Sequence, residues 1–65
     1  MTITVNGQTR DVPDGASVSA LLAGMNLTPD RVAVELNRRL LKTERYDQPL
    51  PPNAQVEIVT FVGGG

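Results

Sequence analysis

Reactive side chains are scarce in this sequence, and that scarcity directs attention to its last residues. Histidine and cysteine are absent from all 65 positions. The usual general base near neutral pH, the commonest metal ligand and a nucleophilic thiol are therefore missing. Asp11, Asp14, Asp30, Glu35, Glu44, Asp47 and Glu57 supply carboxylates, but their spacing forces no two together. They read as solvated surface and not as an acid–base pair. No glycine cluster opens a helix after a strand, so a phosphate cradle is not expected. The one glycine run, Gly63-Gly64-Gly65, closes the chain. Glycine gives up the most backbone entropy on ordering and packs nothing, so 63–65 is expected to be a flexible thread bearing an α-carboxylate. Simple fraying is the competing reading of any chain end. With no base, thiol, metal site or cavity expected in the body, reactivity can reside only at the end.

Two further groups of residues carry possible recognition. Arg38, Arg39, Lys42 and Arg45 form a basic cluster, readable either as a solvated hairpin tip or as a docking patch for an acidic partner surface, centred on Arg38 and Arg39. Aromatic residues are not interleaved with it, which argues against a nucleic-acid groove. Val59, Phe61 and Val62 lie where the last apolar segment leaves the body. A partly buried strand end is one account of them; an uncovered apolar patch beside a flexible tail is the preferred one, because such patches mark binding surfaces.

The elements that position these residues follow from period and punctuation. Sixty-five residues support one domain with one thin core. The net charge of −1 gives no reason to expect nucleic acid or an anionic membrane as partner. No apolar run approaches the ~18 residues of a membrane span, and the Met1–Val5 start does not resemble a signal peptide. A cytoplasmic location is expected, and the absence of cysteine fits it.

Thr2–Val5 alternates polar and apolar, as a half-buried strand does. Asn6-Gly7 is a two-residue hairpin signal, and Gln8–Val12 is the returning strand. Ser17 is an N-cap for a short helix whose stripe is Val18, Leu21, Leu22 and Met25. Thr28-Pro29-Asp30 is a loop. Val32–Leu36 is a strand, Asn37-Arg38 a tight turn and Arg39–Leu41 a short paired strand. Pro49, Pro51 and Pro52 keep the next segment irregular, with Leu50 expected to plug the core. Gln55 to Phe61 or Val62 is the last strand. The order β-β-α-β-β-β, with the two most apolar strands side by side and parallel, is an α+β β-grasp: a mixed sheet of four to five strands on one helix. Residues 1–62 form the domain and 63–65 the tail.

These residues resemble the ThiS family of thiamin-biosynthesis sulfur carriers, a ubiquitin-like β-grasp family. The likeness runs through Thr4-Val5-Asn6-Gly7, Ser17-Val18, Leu21-Leu22, Val32–Asn37 and Glu44-Arg45-Tyr46, and is strongest from Val56 to Gly65. The resemblance implies that the chain is not an enzyme but a co-substrate that binds no cofactor itself. Its Gly65 carboxylate would be adenylated with ATP by an E1-like, ThiF-type partner. A persulfide sulfur, from a cysteine desulfurase or related donor, would convert it to a thiocarboxylate for a ThiG-type thiazole synthase. Gly63 and Gly64 would thread the partner's active site while Val59, Phe61 and Val62 are gripped. An α-carboxylate, with a pKa of about 3.5, needs no base for such chemistry. The small subunit of molybdopterin synthase and ubiquitin-like protein modifiers are the alternatives, since both use an activated C-terminal glycine.

Overall fold

The computed structural model describes residues 1–61. The expected handle residue Val62 and the expected tail Gly63, Gly64 and Gly65 lie outside the described residues. Five strands and one helix are seen: β1 (Thr2–Val5), β2 (Gln8–Asp11), α1 (Val18–Gly24), β3 (Val32–Leu36), β4 (Arg39–Leu40) and β5 (Gln55–Thr60). The sheet order is β2-β1-β5-β3-β4. The central pair β1 and β5 is parallel, and every other pair is antiparallel. This is the expected β-grasp. Its logic is that β1, β5 and β3, the strands that bury residues, occupy the inner positions, where both edges are covered, and the exposed β2 and β4 take the edges.

Alternation decides which face each residue takes. Ile3, Val5, Val34, Val56 and Ile58 are buried, and Val18, Leu21 and Leu22 of α1 are buried with them in one core. With only seven residues, α1 owes its existence to this packing more than to propensity. Two amides of its first turn find partners outside the helix. The Ser17 hydroxyl accepts from the Ala20 amide at 3.2 Å, and the Ser19 amide donates to the Tyr46 carbonyl at 3.0 Å. The Ser19 hydroxyl also donates to Asp47 at 2.6 Å. Amides without intrahelical partners are thereby satisfied, partly from a distant segment.

That distant segment is more ordered than its prolines suggest. Thr43–Arg45 is a 3₁₀ turn. Tyr46, Leu50 and Ala54 are all buried, and the Leu50 amide donates to the Ala16 carbonyl at 2.8 Å. Leu50 thus closes the core as expected, while the burial of Tyr46 and Ala54 has no periodic signal. Thr28-Pro29-Asp30, read as loop, leads into a 3₁₀ turn over Pro29–Arg31, because Pro29 at its first position presets the backbone angle. Strand ends are shorter than the sequence implies: β2 stops at Asp11, β4 at Leu40 and β5 at Thr60. Met25 and Leu36 are only partly buried at the rim of the core.

Candidate docking faces

The face of the sheet away from α1 carries no second layer among the described residues, and the register shows what it presents. Glu35 lies opposite both Leu40 of β4 and Glu57 of β5, so Leu40, Glu35 and Glu57 form one row across three strands. Ala33 lies opposite Val59 in the next row. Phe61 follows, its amide donating to the Arg31 carbonyl at 2.9 Å. Leu40, Val59 and Phe61 are 71%, 60% and 57% exposed. Among the described residues, Phe61 is thus exposed and not tucked under a loop. Two carboxylates directly opposite each other disfavour strand pairing. This like-charge pair lies in the row next to the exposed Val59.

The strand that bears Val59 and leads into Phe61, β5, is held from both sides by asparagine side chains. Where β1 turns away after Val5, the Asn6 side chain takes over its pairing. Its amide oxygen accepts from the Ile58 amide at 2.7 Å and its nitrogen donates to the Ile58 carbonyl at 3.3 Å. From the β3 side, the Asn37 side-chain oxygen accepts from the Gln55 amide at 2.9 Å. Both asparagines sit at positive φ, 50° and 51°, which asparagine tolerates better than most residues. Sequence reading saw these residues only as turn formers; their second role needs the partner strand in place to be visible.

At the β4 edge of the sheet, Leu36, Arg39, Leu40, Leu41, Lys42 and Arg45 line an open groove of about 370 Å³. Of the two arginines expected to centre a docking patch, Arg39 lines this groove. Arg38 instead occupies the β3–β4 turn, at φ 70°. Leu40 belongs to both surfaces, and nothing in its short strand marked it beforehand. In the turn before β3, the Thr28 hydroxyl holds the Asp30 carboxyl below its ordinary value, helped by a backbone amide and by Arg31. Among the described residues no three potential metal-ligating side chains converge, and no helix is long and apolar enough to cross a membrane.

Parallel central strands, one covering helix and an uncovered apolar face at the end of the last strand define a ubiquitin-like β-grasp module. Comparison with known proteins gives the family. The ThiS family model matches residues 3–65, and the chain belongs to the ThiS family. The crystal structure of a thiamine biosynthesis protein (ThiS) from Geobacter metallireducens superposes with a TM-score of 0.79 at 33% identity, each chain covered completely. The solution structure of a thiamine biosynthesis protein from the same organism gives 0.76 at 35% identity, over all of this chain and 88% of that one. A thiazole synthase of Magnetococcus marinus is 35% identical over the whole chain, which spans 20% of that protein's length. A thiazole synthase of Paramagnetospirillum magneticum is 33% identical and likewise spanned over 20% of its length.

Proposed function

We propose that this chain is a sulfur carrier of thiamin biosynthesis whose reacting group is the Gly65 carboxylate. The observation that carries the reading is the family match over residues 3–65, which includes the glycine run as well as the folded body. The carboxylate oxygen attacks the α-phosphate of ATP in a ThiF-type adenylating enzyme, and pyrophosphate leaves. A persulfide sulfur then attacks the acyl-adenylate carbonyl and AMP leaves, giving an acyl disulfide. Reduction of its S–S bond by a thiol releases the Gly65 thiocarboxylate, which donates sulfur to thiazole synthase. Gly63 and Gly64 supply reach, since glycine adopts backbone angles closed to other residues. Val59, Phe61 and Val62 are the surface by which partners grip the module. The enzymes bring the acid–base groups, so a carrier without histidine or cysteine is not handicapped.

Intact-mass measurement after incubation with ATP, the adenylating enzyme and a persulfide source tests this. Replacement of one oxygen by sulfur is expected, and it must vanish when Gly65 is deleted. An unchanged mass with a competent enzyme rejects the reading. Phe61→Ala is expected to leave the melting free energy within about 0.5 kcal/mol, as for an exposed side chain, while weakening the carrier's complex with the adenylating enzyme. A large loss of stability would instead mean that Phe61 holds the fold together.

A further inference from the structure

The net charge of −1 conceals a strong asymmetry. Positions 38–45 hold Arg38, Arg39, Lys42 and Arg45 against Glu44 alone, a net of +3, so the rest of the chain carries −4. The ion pairs found among the described residues are both made by the Met1 amino group, with Asp11 and Asp14. The four clustered cations have no carboxylate within salt-bridge distance there. Three of them, Arg39, Lys42 and Arg45, rim the groove whose remaining lining is Leu36, Leu40 and Leu41. A groove lined by leucines and by cations with no carboxylate partner among the described residues is complementary to a segment that brings carboxylates and an apolar side chain together. Free phosphate or a nucleic-acid backbone would satisfy the cations and leave the leucines uncovered. No buried polar or charged side chain is present among the described residues to orient a small molecule.

We propose that this groove is a second docking site, adjoining the Val59–Phe61 face at Leu40, and that it takes an acidic, apolar-tipped segment of thiazole synthase. The identity of that partner rests on the function proposed above. It is supported by the two thiazole synthases in which the region similar to this chain occupies one fifth of a longer polypeptide. Two modules on one chain meet at high effective concentration, where a modest charged groove suffices for docking. In the groove, the leucines exclude water from the apolar tip. The cations pair with flanking carboxylates and steer the encounter.

Lys42 makes the test specific, because it is the only lysine in the chain. Thiazole synthase from the same organism is titrated against the wild-type carrier and against an Arg39→Glu/Arg45→Glu variant, with Arg10→Glu on the far edge strand β2 as control. The double reversal is expected to weaken binding at least about tenfold and to flatten its salt dependence, while Arg10→Glu binds as wild type. Carbodiimide, which joins amines to carboxylates, is expected to link Lys42 to an aspartate or glutamate of the synthase, and the link disappears in Lys42→Arg. Thiolation of Gly65, read by mass, should proceed in every variant. Wild-type binding that is indifferent to the double reversal, or a complex without a Lys42 cross-link, overturns the groove while leaving the carrier function intact. A wild-type chain that neither binds the synthase nor gains sulfur overturns both.

Discussion

Two hairpin turns of this molecule, Asn6-Gly7 and Asn37-Arg38, have the same backbone and different purposes. Each joins antiparallel strands through two residues at positive φ: 50° and 82° in the first, 51° and 70° in the second. Each begins with an asparagine whose side chain reaches across to β5, one at Ile58 and the other at Gln55. They differ at the second position. Gly7 meets the left-handed requirement without steric cost, and nothing lies within 4 Å of the place its Cβ would take. Arg38 meets the same requirement against the preference of a residue with a Cβ. A turn that glycine would suit better has been given a cation, beside the basic groove. The first turn meets the left-handed requirement with no side chain at its second position; the second meets it with a charged one.

Glycine substituted at three positions tests how the two turns differ, since glycine keeps the positive φ and removes only the side chain. The largest effect is expected at Asn6→Gly, which leaves the Ile58 amide and carbonyl without partners at a partly buried site. Chemical denaturation should show a loss of about 1–3 kcal/mol. Asn37→Gly removes a single bond at an exposed site, and about 0.5–1.5 kcal/mol is expected. If the two losses were equal, or reversed, the asparagine clamps would not differ in the way their burial implies. Arg38→Gly should have the smallest effect and the opposite sign. Relief of the left-handed strain outweighs the added chain entropy, raising stability by up to about 1 kcal/mol. The same variant should bind thiazole synthase more weakly in the salt-titrated assay. A destabilised Arg38→Gly would show that the arginine serves the fold, and the contrast between the turns would collapse.

Much of this was legible in advance, for reasons that differ by element. Period-2 alternation in Thr2–Val5, Val32–Leu36 and Gln55–Thr60 assigns strands and faces together, because a strand cannot bury one residue without exposing the next. The same rule placed Val59 and Phe61 on the face away from the helix. The stripe Val18, Leu21, Leu22 with Ser17 before it announced the helix and its cap. The segment from Lys42 to Asn53 was opaque. Its prolines say only what it cannot be; Tyr46 packs into the core and its carbonyl accepts from the Ser19 amide, a partner 27 positions away that no local pattern records.

What the sequence determined alone is local. It contains the chemistry that is missing, the turns that glycine and asparagine permit, and the apolar periods that specify one layered core. Register was decided by the tertiary structure. Only strand pairing puts Glu35 against Glu57, brings Leu40 into their row, and closes Leu36, Leu41 and three cations around one groove. The Asn37-Arg38 turn sets Leu40 against Glu35 locally, but Glu57 is brought opposite by hydrogen bonds between strands distant in the chain, and composition and spacing along one strand carry no record of that pairing.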